Sequence, residues 1–462
     1  MKYRSGLLVG AAFLVGAMLQ PAARFAEHQL GLPLGIPAAF ASPGTPGQGT
    51  YRLLSLFGTV FERVRADYVV PVSDRKLMDN ALNGMLTGLD PHSGYMDAKQ
   101  YRDMQVQTQG QFGGLGLQVT EFQGLIKVIS PIDGTPAAKA GIKPGDLIVA
   151  IDKKSVEGMS LNQAVSRMRG PPNSKIELLI KRPGVKAPID LTLTREVIQV
   201  QAVHFKLFGD IGYIRLSAFT EQANPGVRHA IAALKREAHG KIRGYILDLR
   251  NNPGGLLDQA VAVANDFLNQ GEIVSTRGRH PIDDERWDAK PGDLTAGAPL
   301  VVMVNAGSAS ASEIVTGALQ DNRRAVVLGV RSFGKGSVQT IIPIPGHGAL
   351  RLTTARYYTP SGRSIQDLGI TPDILVHEQH NPAASFPALR EGDLTHALHN
   401  PNGKGLPPLP PRSDLPAIAK TIPHVPPANW PAFDPAKPAT DFQLQEALKV
   451  VNAMATQSAA AK

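Results

Sequence analysis

The chain has 462 residues, enough for about three domains and a sizeable core. Hydrophobic residues make up 43% and charged residues 19%, which excludes a wholly disordered chain. The lack of cysteine excludes disulfides, thiolate metal sites, iron–sulfur clusters and a cysteine nucleophile. Net charge is +9, but Lys and Arg are scattered, with spots no denser than the pair Arg323–Arg324, so the charge reads as solubility and not as a nucleic-acid footprint.

Lys2 and Arg4 precede an apolar stretch from Gly6 to Leu19. A bilayer span needs about 20 residues, so this run suits a signal-peptide core, with Ala39–Phe40–Ala41 or Pro21–Ala22–Ala23 as small-residue cleavage sites. Residues 1–41 are thus expected to be a signal peptide or N-terminal anchor. A small, polar linker (42–50) follows. Leu53, Leu54, Phe57, Val60, Phe61 and Val64 recur at three and four and predict a helix. A second helix is expected after the cap Ser73, with Leu77, Ala81, Leu82, Met85 and Leu86 inward, ending at Gly88. The N-terminal helical region is drawn over 42–104.

From 105 to 196 the texture changes to short strands and glycine turns. Strands are expected at Val119, 126–129, 147–151, 176–180 and 189–193, and one amphipathic helix after the cap Ser160. From 197 to 376, strands (212–217, 245–249, 300–305, 325–330) alternate with helices (224–237, 255–268, 310–320), which argues for βαβ units. Residues 377–440 are irregular and proline-dense and read as a surface extension or linker. A helix over 441–454 opens the C-terminal segment 441–462.

Three loops of the alternating region each follow a strand: Asp248-Leu-Arg-Asn-Asn-Pro-Gly-Gly255, Asn305-Ala-Gly-Ser-Ala-Ser-Ala-Ser312 and Arg331-Ser-Phe-Gly-Lys-Gly336. In open α/β sheets, loops beyond the carboxyl ends of strands form the active-site crevice. Gly329 to Lys335 (GVRSFGK) matches a phosphate-binding loop only in part. The Ser/Thr after the lysine is missing, and SVQTIIPIP reads as a strand where such a loop needs a helix. Lys335 is either a solvated loop lysine or a base whose charge burial disfavours, able to take a proton from a serine. In the serine loop a hydroxyl would sit at a helix N-terminus, where N–H groups stabilise a developing oxyanion, with Ala311 and the Gly254–Gly255 turn as donors. Ser308, Ser310 and Ser312 are equally candidate helix caps. No Gly-x-Ser-x-Gly elbow is present, and none of the 12 histidines shows metal-ligand spacing, so no metal is expected.

The motifs GLDPHSGYM (88–96), FGGLGLQV (112–119), PAAKAGIKPGDLIVAID (136–152), DLRNNPGGLL (248–257), GSASASEIVTGALQDN (307–322) and FGKGSVQT (333–340) occur in order. From about Tyr51 to Val376, and in its final helix, the chain resembles the carboxyl-terminal processing proteases, also called tail-specific proteases. The resemblance implies an α/β fold: a crotonase/ClpP-like catalytic core of βαβ units (197–376, with 51–104 contributing), an inserted small mixed α+β PDZ domain (105–196), and helical N- and C-terminal segments. It places the nucleophile on Ser310, the general base on Lys335, the orienting residue on Gln339, and the oxyanion donors on the N–H groups of Gly255 and Ala311. An aspartate implicated in some relatives falls on Asp321, about 16 Å along the helix axis from Ser310, and is read as structural. Gln339 would lie about 13 Å from Lys335 on a straight strand, so their contact needs a bend near Gly336.

In the PDZ module the resemblance places a carboxylate-binding loop on Gly114, Leu115, Gly116 and Leu117, a pocket wall on Val165 and Met168, and a gating role on Arg169. The expected function is an exported serine endopeptidase, periplasmic or anchored at the inner membrane, that takes polypeptides with exposed C-termini. It needs no cofactor and binds no nucleic acid. An activating partner and homo-oligomers are further expected partners. The alternatives are a non-catalytic or partner-activated PDZ adaptor with a protease-like domain, and a nucleotide-binding protein reading GVRSFGK.

Overall fold

A computed structural model describes residues 46–460 apart from 133, 200, 381–387 and 404–411. The expected export segment, 1–41, lies outside the described residues. Among the described residues no helix is long and apolar enough to cross a membrane.

Two helices open the chain, α1 (Pro46–Asp67) and α2 (Asp74–Thr87). Helix α1 starts inside the stretch expected to be a linker, and Pro46 at its first position costs little, because that N–H has no intrahelical partner. In its apolar stripe Leu53, Leu54, Phe57, Val60 and Val64 are exposed and Phe61 is half-buried. In α2, Leu86 is buried but Met85 is exposed, against the inward face expected for it. The chain continues through β1 (Gly94–Met96), α3 (Ala98–Gln109) and β2 (Gln111–Gly114), so the region expected to be helical also carries a strand. Asp97 caps α3 by accepting from the N–H groups of Lys99 and Gln100.

The inserted module comprises β3 (Leu117–Phe122), β4 (Leu125–Pro131), α4 (Pro136–Lys139), β5 (Leu147–Ile151), β6 (Lys154–Ser155), α5 (Leu161–Met168), β7 (Lys175–Lys181) and β8 (Ile189–Thr194). Its antiparallel sheet runs β3-β4-β5-β7-β8, which leaves β3 at an edge. Alternate residues of β4 and β7 (Ile126, Val128, Ile176, Leu178, Ile180), with Ile148 and Ile151 on either side of a register shift in β5, meet Ala164 and Met168 of α5 in a separate core. Strand β9 (Glu196–Gln199) pairs with β2, so the chain enters and leaves the module through one two-stranded ribbon.

The catalytic-type core follows: β10 (Val203–Phe208), β11 (Ile211–Leu216), α6 (Ala223–Glu237), β12 (Gly244–Asp248), α7 (Leu257–Asn265), β13 (Glu272–Gly278), β14 (Glu285–Asp288), β15 (Leu300–Val304), α8 (Ala311–Asp321), β16 (Val326–Gly329), β17 (Ser337–Ile344), β18 (Gly348–Tyr358), β19 (Ile374–Leu375) and finally α9 (Phe442–Ala460). The main sheet runs β10-β11-β12-β15-β16-β19, and its pairings from β11 to β19 are parallel. Period-two alternation divides its side chains. Leu247, Val302 and Val327 face a core with α6, α7 and α8, while Ile246, Val301 and Leu328 face α9. A second, antiparallel sheet joins β1, β18, β13 and β14, with β17 also on β18.

The proline-dense stretch is not simply a surface extension. Ile422 is buried, and Leu415, Ile418 and Trp430 pack against the core beneath α9. Proline bars regular ladders there, but it does not bar burial of the apolar side chains between the prolines.

Candidate active site

The three loops follow the carboxyl ends of adjacent parallel strands β12, β15 and β16, the crevice position of an open α/β sheet. The Gly329–Lys335 segment leads into strand β17 and not into a helix, so the phosphate-loop reading fails on geometry.

The first loop is locked from below. Asp248 is fully buried and accepts bonds from Tyr213 Oη and from Nε and Nη2 of Arg250. Arg250 in turn donates to Asp441, immediately before α9. Burial alone would raise the Asp248 carboxyl, but the charge and hydrogen bonds of Arg250 hold it below the usual range. Asn252 then ties two loops together: its Oδ1 accepts from Gly254 N, and its carbonyl accepts from Ala309 N and Ser312 Oγ. Gly254 has φ +99°, and a β-carbon there would lie 2.8 Å from both the Ala309 carbonyl oxygen and Ser310 Cβ. Only glycine lets this turn approach the serine so closely.

The three serines differ. Ser308 Oγ donates to the Leu249 carbonyl and Ser312 Oγ to that of Asn252, so both are spent on the scaffold. Ser310 is held at φ +53°, ψ −114°, a conformation that costs a non-glycine residue about 1–3 kcal/mol. Its Oγ makes no cap bond to α8. Instead it hydrogen-bonds the phenol oxygen of Tyr357, which burial pushes up to about 12 and which stays protonated. Among the described residues no acceptor takes the N–H of Gly255 or of Ala311.

What holds Ser310 in place is Glu313, one turn into α8 and fully buried. Its Oε2 accepts from Ser310 N (2.8 Å) and Lys335 N (2.9 Å), and its Oε1 from Gly334 N (2.7 Å) and Ser332 Oγ (2.6 Å). One carboxyl group therefore fixes the backbones of both candidate catalytic residues. Burial pushes it up to about 7, against the four bonds that favour the anion. The S-x-x-E spacing of a capping box, Ser310 to Glu313, was the available signal for it.

Lys335 is half-buried, and burial, the largest effect, lowers its amine from the usual lysine value. Glu391, Glu313 and Asp90 oppose that effect and Arg351 adds to it. Among the described residues the amine has no hydrogen bond or ion pair, including to Ser310. Gln339 lies where the β17–β18 register shifts, between Val338 and Gln339. Its Nε2 donates to Ser337 Oγ (2.9 Å) and Thr353 Oγ1 (3.4 Å), not to Lys335. Asp321 pairs with Arg363 and Ser361, away from Ser310. The Asp90–Ser93 turn docks on β18, because Asp90 accepts from Ser93 and Thr353 and Thr353 N donates to Ser93 Oγ.

In the inserted module, Gly114 ends β2, and Leu115 and Gly116 turn the chain into β3 at Leu117. Gly116 has φ +74° and a β-carbon there would lie 2.4 Å from Thr135 Cβ, so the tight loop requires glycine. Val165 and Met168 both pack on the module core, so their side chains line α5 on the side facing the sheet. Arg169, at the C-terminus of α5, stacks its guanidinium 4.3 Å from the Phe112 ring centroid on β2. Among the described residues its buried Nε has no hydrogen-bond partner.

Residues 210–376 match the sequence profile of peptidase family S41, residues 127–182 that of a PDZ domain, and residues 44–100 that of the activating protease CtpB N-terminal domain. The chain is similar to a carboxy-terminal-processing protease of Bartonella bacilliformis, 58% identical over 72% of this chain and 76% of the relative. A carboxyl-terminal-processing protease of Synechocystis is 40% identical over 70% of this chain and 76% of its own length. A solved structure, a photosystem II D1 C-terminal processing protease, is 29% identical with a TM-score of 0.42, covering 71% of this chain and 94% of that one. The S41 core and the PDZ insertion define a serine-type peptidase. The chain belongs to the carboxy-terminal-processing protease family.

Proposed function

We propose that the protein is an exported endopeptidase that uses a Ser310–Lys335 dyad, oriented by Gln339, to cleave polypeptides whose C-terminal tails bind the PDZ module. The observation that carries this reading is the strained Ser310, whose hydroxyl alone among the three loop serines is not donated to a backbone carbonyl. A neutral Lys335 amine accepts the Ser310 proton as Oγ attacks the peptide carbonyl. The oxyanion then sits on the N–H groups of Gly255 and Ala311, at the positive end of α8. Lys335 returns the proton to the leaving amine, and water releases the acyl group by the reverse path.

The tail adds as a strand to the open edge of β3, beside α5. Its terminal carboxylate meets the 114–117 loop, and its last side chain enters between Val165 and Met168. The unbonded Lys335 amine favours a resting arrangement in which a bound tail or an activating partner completes the dyad, with Arg169 relaying the PDZ state. Export, to a periplasmic space, rests on the charged start and the apolar run from Gly6 to Leu19.

Casein cleavage by the protein lacking residues 1–41 tests the reading. Wild type should cleave, and folded Ser310→Ala and Lys335→Ala should lose at least 1,000-fold in rate (an order of magnitude drawn from triad deletions). Full activity in Lys335→Ala would refute the dyad.

A further inference from the structure

Glu391 lies in the proline-dense stretch, beyond the S41 match, in a short 3-10 turn (Glu391–Asp393). It is 1% exposed, and neither the fold core nor the chemistry above uses it. Its carboxylate accepts from His92 Nε2 at 2.8 and 2.9 Å and from Gln366 Nε2 at 3.1 Å. Gln366 Oε1 in turn accepts from Gly336 N at 3.0 Å. The backbone N–H of Glu391 donates to the Phe333 carbonyl, and Arg390 Nη1 donates to that of Ser332. Ser332, Phe333 and Gly336 bracket Lys335 on both sides. The Asp90–Ser93 turn supplies His92, and the His92 carbonyl accepts from Arg351 Nε on β18.

A buried carboxylate is costly unless its bonds are satisfied. Here every partner leads to the loop that carries Lys335 or to the turn beside it. We propose that Glu391 is a positioning residue for Lys335, clamping the 332–336 loop through His92, Gln366 and its own backbone. The inference rests on Lys335 being the base. It gives the C-terminal stretch a role in the chemistry without contact with substrate.

The clamp also carries charge. Glu391 is the foremost of the carboxylates that favour the charged Lys335 amine, ahead of Glu313 and Asp90, while burial and Arg351 favour the neutral one. Arg390 and His92 also face this cluster. Replacing Glu391 by Gln keeps the shape, because the amide oxygen accepts from Gln366 and His92 accepts from the amide through its other tautomer. It removes one negative charge, so the neutral amine becomes available at lower pH.

The experiment is the pH profile of peptide hydrolysis by wild type, Glu391→Gln, Glu391→Ala and Lys335→Ala, with melting temperature recorded for each. Glu391→Gln should move the acid limb of kcat/KM down by about half a pH unit or more, a roughly threefold gain on that limb. Glu391→Ala should lower kcat about tenfold or more, with KM within about twofold. If Glu391→Ala fails to fold, the Glu391→Gln limb decides alone. An unmoved limb in Glu391→Gln overturns the inference, as does wild-type kcat in a folded Glu391→Ala. Lys335→Ala separates the two readings. If it is dead while both Glu391 variants behave as wild type, only the clamp is wrong. If it keeps activity, the base assignment falls and the inference falls with it.

Discussion

Replacing Glu313 by Gln should separate stability from activity in opposite directions. In the folded chain burial pushes this carboxyl up to about 7, from 4.5 as the ordinary value. The native state therefore keeps its proton between those pH values while the unfolded chain has lost it, so wild-type stability falls as pH rises through that window. The gap corresponds to roughly 3 kcal/mol. Glutamine has the shape of the protonated acid and no such dependence. Urea unfolding should thus show the variant gaining on wild type by roughly 3 kcal/mol between pH 4.5 and pH 8, whatever constant offset the lost hydrogen bonds impose. Activity should go the other way. The amide offers one acceptor atom where the carboxylate offers two, so either the Ser310 and Lys335 N–H pair or the Gly334 and Ser332 pair faces a donor. A misplacement of this kind costs about 100-fold in kcat. A variant that loses ground to wild type as pH rises would refute the linkage argument, and kcat within about threefold of wild type would refute the staple.

Gly254→Ala should lower kcat about 100-fold with little change in KM, because its β-carbon would press on Ser310 Cβ; unchanged kinetics would refute the close approach. Arg250→Met should cost about 3–5 kcal/mol in chemical unfolding, since it strips the main counter-charge from the buried Asp248. Gly116→Ala should weaken binding of a fluorescent C-terminal tail peptide about tenfold in anisotropy titrations and leave cleavage of short untailed peptides unchanged. Wild-type kcat should rise with pH along an acid limb centred below the ordinary lysine value of 10.5, because burial lowers the Lys335 amine and only its neutral form accepts a proton.

The parallel strands were legible because burial on both faces leaves runs such as Leu300–Val304 apolar throughout. The helix after Ser160 was legible from its cap and spacing, and the structure adds the reciprocal Gln163 bond. The second sheet was not. Strand β18 reads GALRLTTARYY, with half-covered faces and no clean alternation, and its partners β1 and β13 lie far from it in sequence. The loops that carry Ser310 and Lys335 stood out as glycine- and serine-rich breaks after strands. Glu313 carried a capping signal that pointed only to a helix end. Glu391 carried none, because nothing local distinguishes a clamp from any other acid in a proline-dense stretch; 55 residues of intervening chain separate it from Lys335.

The pairing of Arg250 with Asp441 has a consequence for biogenesis. The turn that presents Gly254 to Ser310 hangs on an arginine whose second carboxylate comes from the last fifth of the chain, and the face of the sheet beneath it is closed by the terminal helix. A nascent or prematurely terminated polypeptide has Ser310, Lys335 and the PDZ module but not this keystone. The turn beside Ser310 should therefore be held fully only once the chain through Asp441 has been made, and truncation before Asp441 is expected to loosen it.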